Sequence, residues 1–383
     1  FQAEDGIRDL VRSRGLGDVY KRQILDTIID SHQKESLQEF ELNIIIERIL
    51  NPLKDREKTI LSKRYGLDGK EVATLKSVGE EQGLTRERVR QIEKELLKNL
   101  KRGVVELEEF ISARDLLINT ISEHGGIMSE TSLTNYLGYT DPSDVQALKF
   151  LLKLIAELEE HGADEHIKQS WGKIGFDKDF LHQFIIATKD LLNNHGQPIS
   201  ADQFLEQFEK SDFFKTNETR LTPKVVLNYL HTAESVRKNP FGEYGLSHWN
   251  EIKPKDVGDK AYLVMKHHGK PEHYSTITDL INQNNIDSRK AYKETVHNKL
   301  IKDKRFVLVG RGIYALTEWG YQPGVVSDII SEVIKDEGKP LSRDEIVKRV
   351  LERRMVKKNT VLVGLSNKKL FKKVGKNLYD LVK

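Results

Sequence analysis

At 383 residues, with 38% hydrophobic and 32% charged side chains, the chain is too long for a single small core and reads as several helical modules with much solvated surface. It has no cysteine, which excludes disulfides, zinc fingers, thiolate metal sites and cysteine nucleophiles and fits a reducing compartment. Its 62 basic and 59 acidic residues nearly cancel, to +3, so a nucleic-acid footprint must come from where the charges sit.

Taken in chain order, residues 1–23 (FQAEDGIRDLVRSRGLGDVYKRQ) resemble the conceptual translation of a sequencing adapter joined to a gene fragment, so native folding is expected from near Ile24. No stretch approaches the roughly 20 apolar residues of a membrane span, and no signal peptide is visible. Cytoplasmic, nucleoid-associated placement is the expectation. Residues 24–50 read as a helical lead-in packed through Ile28, Ile29, Phe40, Leu42, Ile45, Ile46 and Ile49.

Residues 54–65 carry helical spacing, with Ile60, Leu61 and Tyr65 inward, Arg56, Lys58 and Lys63 outward, and Gly66 as a C-terminal stop. A short second helix runs from about Thr74 through Leu75 and Val78 to Gln82, and Gly83-Leu84 makes a tight turn. Thr85 is then a good N-cap for a third helix reaching about Arg102. On it Val89, Ile92, Leu96 and Leu100 share one stripe. Glu87, Arg90, Gln91, Lys94 and Lys98 group on the opposite face, with Arg86 at the N-terminal end. These are groove-reading types: an arginine fork matches guanine, glutamate accepts from the cytosine amino group, and the remaining cations meet phosphates. Residues 84–102 hold seven basic against three acidic side chains, a balance that favours phosphate.

The strings LKDREKTILSKRYGLDG and LKSVGEEQGLTRERVRQIEKELLKNLKR resemble region 4 of the sigma-70 family, the module that reads the minus-35 promoter element, and TRERVRQIE is the most specific part of the match. The resemblance covers about residues 51–102. It implies that Arg86, Glu87 and Gln91 face base edges, that Thr85, Arg88 and Arg90 contact mainly phosphates, and that RNA polymerase core is a partner. No aromatic-rich strand-melting segment like sigma region 2 follows Ile24, so this stretch alone is not expected to open a promoter.

From Gly103 a repeat appears. His124-Gly125, His195-Gly196, His268-Gly269 and Glu337-Gly338 each end one helix and precede another, at intervals of 71, 73 and 69 residues between the glycines. Each unit closes on a glycine-bearing aromatic segment, and the predicted order is three helices followed by a hairpin. In the third unit the β-prone runs 306–309 and 313–316 flank Gly310-Arg311-Gly312, a turn with a cation at its tip.

Helices followed by such a hairpin read as a winged helix, and GDKAYLVMKHHGKPEHYSTITDLI to RFVLVGRGIYALTEWG resembles the HARE-type winged helix. That family, which includes the polymerase delta subunit, implies a nucleic-acid or polymerase adaptor. The fold class expected is therefore mainly α: a helical lead-in and a sigma region 4-like helix-turn-helix over 24–102, then about four winged-helix modules over 103–176, 177–252, 258–321 and 322–383. Charge sorts them. Residues 103–176 hold 5 basic and 13 acidic side chains, 177–252 hold 8 and 11, 259–320 hold 11 and 7, and 335–383 hold 15 and 6. The first two should avoid phosphate. The last carries Arg343, Lys348, Arg349, Arg353, Arg354, Lys357, Lys358, Lys368, Lys369, Lys372, Lys373 and Lys376. Of these, Lys368, Lys369, Lys372 and Lys376, with Arg311 of the third module, are the expected wing contacts to DNA.

Catalytic patterns are missing: there is no HExxH pair, Walker loop, nucleophile elbow or dinucleotide fingerprint, and no cofactor, metal or small-molecule substrate is expected. His161, Glu165 and His166 form a local cluster read as surface. Trp171, Trp249 and Trp319 are read as packing residues. The expectation is a non-enzymatic bacterial transcription protein that reads double-stranded promoter DNA. The alternative is a polymerase-binding adaptor with little sequence-specific DNA binding, and a third reading, a restriction-type enzyme fragment with scattered acidic residues, stays open.

Overall fold

The computed structural model describes residues 42–321, 326–353 and 358–382. The chain divides into two compact units, one taking in residues up to 191 with 205–236, the other 192–204 with 237 onward. The expectations for residues 1–41, including Ile28, Ile29 and Phe40, and for Arg354 and Lys357 lie outside the described residues.

The first unit opens with α1, Leu42–Leu50, whose Leu42, Ile45, Ile46 and Ile49 recur at helical spacing and are all buried. Helix α2, Asp55–Tyr65, starts where the Lys54 amide donates to the Glu57 carboxylate at 3.1 Å, and it stops at Gly66 in the left-handed region. Thr74 caps α3, Leu75–Gln82, by accepting from the Ser77 amide, and Gly83 at φ +63° ends it. Thr85 caps α4, Arg86–Gly103, in the same way through the Arg88 amide at 3.2 Å. Ile60, Val78 and Val89 form a small apolar centre joining α2, α3 and α4. Leu61, Leu96 and Leu100 point the other way, into a larger core shared with α1 and the first repeat.

That repeat comprises α5 (Glu108–Glu123), β1 (Ile127–Ser129), α6 (Glu130–Leu137), α7 (Pro142–Leu154), β2 (Leu158–His161) and β3 (Ser170–Lys173), with antiparallel strand order β1-β3-β2. Its third helix, α7, does not present a free face. Leu148, Phe150, Leu151 and Leu152 are buried against α1, α2 and α4, the Tyr65 and Phe150 rings lie 5.0 Å apart, and the Asn43 amide donates to Asp144.

The second repeat runs α8 (Lys178–His195), α9 (Ala201–Glu209), α10 (Asp212–Thr216), α11 (Pro223–Thr232), β4 (Val236–Lys238) and β5 (Tyr244–Leu246), and contributes to both units. It differs from the expected three helices, because Ser211 caps an extra turn by accepting from the Phe214 amide and so starts α10 separately. Helix α11 packs on β1 and α6 of the first repeat. There the Asn228 amide nitrogen donates to the carbonyls of His124 and Ile127 at 2.7 and 2.6 Å, and the Tyr229 hydroxyl donates to that of Gly125 at 2.8 Å.

The third repeat is α12 (Val257–His268), β6 (Glu272–His273), α13 (Tyr274–Gln283), α14 (Lys293–Lys302), β7 (Phe306–Gly310) and β8 (Ile313–Leu316), with strand order β6-β8-β7. The fourth is α15 (Val326–Glu337), β9 (Leu341–Ser342), α16 (Arg343–Arg353), α17 (Lys358–Leu365), β10 (Phe371–Gly375) and β11 (Leu378–Leu381), with order β10-β11-β9. Each encloses its own apolar core. The fold is mainly helical, with small antiparallel hairpin-bearing sheets, as expected. The spacing of the repeat has a backbone cause: Gly125, Gly196, Gly269 and Gly338 all sit at positive φ, between +64° and +87°, where each first helix turns off.

Trp171 is 2% exposed and belongs to the core shared with the helix-turn-helix. His161, expected at the surface, is instead 4% exposed and edge-on to Phe176, because β2 turns its ring inward. No helix among the described residues is long and apolar enough to cross a membrane.

Candidate nucleic-acid interface

The helix-turn-helix is held as a unit by polar ties as well as by its apolar centre. The Arg64 guanidinium donates to Glu93 at 3.2 Å and the Tyr65 hydroxyl donates to the other oxygen of the same carboxylate at 2.8 Å, clamping α2 to α4. Burial and the Glu93 carboxylate together push the Tyr65 phenol well above its ordinary value. Arg56 donates to the Gln82 carbonyl at 2.6 Å, tying α2 to the end of α3. At Gly79 a Cβ would stand 2.7 Å from the Leu84 carbonyl oxygen, so only glycine lets the turn close this tightly. Glu93 and Gly79 are structural residues that helical-wheel reasoning missed. Glu93 sits near the edge of the apolar stripe, and that position was its one sequence signal.

Val89, Leu96 and Leu100 of α4 are buried, whereas Arg86, Glu87, Arg88, Arg90, Gln91, Lys94 and Lys98 are exposed. Thr85, expected to meet phosphate, also caps the helix. The exposed face is partly pre-ordered. Arg90 donates twice to Glu87, at 2.9 and 2.6 Å, and Gln91 reaches the same carboxylate at 3.4 Å. The Arg90 hydrogen bonds hold the Glu87 carboxyl below its usual range, so it stays an acceptor. Arg86, Lys94 and Lys98 make no ion pair among the described residues. Arg88 reaches only Gln91, at 3.5 Å, and also lines a cleft of about 270 Å³ between α2 and α4 with Arg56, Glu57, Glu95 and Asn99.

In the second unit the charges sort by pairing. Lys260, Lys266, Lys299 and Arg305 of the third repeat are bound to Asp287, Glu251, Asp256 and Asp303 at 2.6–2.7 Å, while Arg311 at the hairpin tip is exposed, as are Arg289, Lys290, Lys293, Lys302 and Lys304 elsewhere in the repeat. In the fourth repeat Arg343, Arg353 and Lys358 lie 2.9–3.9 Å from Asp344 or Asp336, and Arg349 pairs with Glu337. Lys368, Lys369, Lys372, Lys373 and Lys376 are all exposed with no ion pair among the described residues. The fold brings these five together on one hairpin and its entry turn.

No group of His, Asp and Glu among the described residues could hold a metal ion. Curated relatives match the same stretch of chain. It is 34% identical over 86 residues to "RNA polymerase sigma factor SigA" of Lactococcus lactis subsp. cremoris, covering 22% of each chain. It is 37% identical over 91 residues to "RNA polymerase sigma factor RpoS" of Coxiella burnetii, covering 23% of this chain and 26% of that one. The chain therefore spans about a quarter or less of the relatives it matches. The helix-turn-helix, over residues 49–102, matches the family model for Sigma-70, region 4.

Proposed function

We propose that this chain is a DNA-binding transcription protein in which α4 enters the major groove of a promoter-type duplex. The observation that carries the reading is the exposed face of α4. It presents two bare cations, Lys94 and Lys98, a bare Arg86 at the groove-entering end, and an ordered Glu87–Arg90–Gln91 cluster, all on a helix fixed from behind by Glu93. Arg86, Glu87 and Gln91 read base edges, and Thr85, Arg88, Arg90 and Lys94 hold phosphates. The relatives are named as RNA polymerase sigma factors, and on that likeness polymerase core is the protein partner and promoter recognition the role, with no enzymatic step.

Packing supports a division of labour among the four repeats. Helices α7 and α11 occupy the place of a reading helix in the two acidic repeats, and both are buried against the preceding part of the chain, which makes those repeats a spacer. Arg311 and the five lysines are among the cations that the two basic repeats leave exposed, alongside Lys304 and Lys348, and are available for phosphate. The test is electrophoretic or anisotropy titration of promoter and scrambled duplexes with Arg86→Ala, Arg88→Ala, Arg90→Ala protein. Loss of the promoter preference by tenfold or more is expected, on the scale of about 1–3 kcal/mol for a good bidentate contact. An unchanged preference refutes the reading.

A further inference from the structure

The third and fourth repeats end in the same hairpin. β7–β8 and β10–β11 pair antiparallel with the same irregularity, between Leu308 and Gly310 in one and Lys373 and Gly375 in the other. The turn residue takes positive φ in both, +70° at Gly312 and +68° at Asn377. Residues facing the core are kept: Phe306, Tyr314 and Leu316 match Phe371, Tyr379 and Leu381, all packed in their own cores. The outward positions are not. Val307 and Val309 are 5% and 0% exposed in the third repeat and form an apolar cluster with Ala315. Their counterparts are the exposed Lys372 and Val374, while Leu308 becomes Lys373, Arg311 becomes Lys376 and Ala315 becomes Asp380. One skeleton thus carries a wing with one buried apolar face and a single tip cation, Arg311, in one repeat and a wing bearing three exposed lysines, Lys372, Lys373 and Lys376, in the other.

The third helix of the fourth repeat shows the opposite trend. The sequence of α17 is KNTVLVGL, and its one cation, Lys358, lies 3.7 Å from Asp344. The rest of its exposed surface is Asn359, Thr360 and Val363, the last 72% exposed. Such a face has little to offer a phosphate, and an apolar residue in the groove's centre contacts only the thymine methyl. Lys368, Lys369, Lys372, Lys373 and Lys376 stand instead on the wing and the turn leading to it, opposed by a single hairpin carboxylate, Asp380, which is in register with Lys372.

We propose that the fourth repeat grips duplex DNA by its wing, through sequence-independent phosphate contacts from these five lysines, while α17 stays out of the groove. This rests on the DNA-binding reading above but is separable from it, because the wing contributes salt-dependent affinity on any sequence and α4 contributes preference. The experiment uses the full chain and random-sequence duplex DNA, with affinity measured across salt concentrations. Every phosphate that a lysine no longer neutralises lowers the slope of log affinity against log salt by about 0.9. Converting all five lysines to glutamine should lower that slope by about 3 to 4.5, and Asn359→Ala with Thr360→Ala should leave it unchanged, while promoter-over-random preference stays as in the parent in both. Circular dichroism and melting temperature should match the parent, since the substituted side chains are exposed. An unchanged slope in the five-lysine variant overturns the proposal. So does an unchanged slope accompanied by self-association, which would make the lysines guards of the β10 sheet edge, and so does a slope change confined to single-stranded RNA. Loss of preference in Gln91→Ala with an intact slope would separate the two readings.

Discussion

Asn228→Ala tests whether α11 is a docked helix and not a reading helix. The native side chain is 4% exposed, and its amide nitrogen serves two carbonyls, those of His124 and Ile127, at 2.7 and 2.6 Å. Those carbonyls flank the Gly125-Gly126 corner, where φ is +87° and +86°. A left-handed corner gives its carbonyls no helical partner, so the amide is their donor. Removing it leaves two buried acceptors unmet, each costing about 1–3 kcal/mol where water cannot enter, against which loss of one buried amide's desolvation recovers part. The net expectation is a destabilisation of about 2–4 kcal/mol, read as a lowered urea midpoint with an unchanged slope. Hydrogen exchange should accelerate first in β1 and at the N-terminal end of α11. DNA affinity at temperatures where the variant is folded should be unchanged. A change below about 0.5 kcal/mol, or a loss of DNA affinity without loss of stability, would show that α11 is not held as described.

Thr85→Ala removes the cap of α4 and should cost about 1 kcal/mol in chemical denaturation, with a parallel weakening on all DNA sequences because the first turn frays. Lys94→Gln should reduce affinity for promoter and random duplexes alike and lower the salt slope by about 0.9, whereas Gln91→Ala should erode preference with little change in slope. His161 is held by burial below its ordinary pKa. Its folded value is therefore depressed, so its neutral form stabilises the fold above the unfolded value of about 6.5 and that contribution is lost as pH falls below it. Melting temperature should drop more steeply between about pH 6.5 and 5 in the parent than in His161→Phe, and parallel pH profiles would contradict this.

Much of the helix-turn-helix was legible because its signals are local. Thr74, Thr85, Gly66 and Gly83 place four of the six helix ends within a residue of where the backbone puts them, and the Val89, Leu96, Leu100 stripe is buried as the periodicity requires, with Ile92 partly buried beside it. The repeat was legible for the same reason: a glycine needed at positive φ leaves a mark at a fixed spacing. What lay hidden is non-local. Helices α7 and α11 look like any third helix of a winged module, and nothing in their own residues says that α1, α2 and α4, or β1 and α6, cover them. Counting charge also overstated the cationic surface of the fourth repeat. Arg343, Arg349, Arg353 and Lys358 were counted as available, yet each faces a carboxylate beside it or on a neighbouring helix.

The shared core also sets how the protein can be made and cut. Leu42, Ile45 and Ile49 meet Leu148, Phe150 and Leu151 in one cluster, so the helix-turn-helix gains its full support only after a distant downstream stretch of chain exists. A fragment ended at Arg102 would keep the small centre of Ile60, Val78 and Val89 but expose the seam of Leu61, Leu96 and Leu100 to water. On the ribosome the same seam must wait until Leu154 has cleared the exit tunnel. Expression trials that extend the fragment past Lys173, which adds Leu158, Trp171 and the β1-β3-β2 sheet to the same core, should therefore yield more soluble and more stable protein than those ended at Arg102.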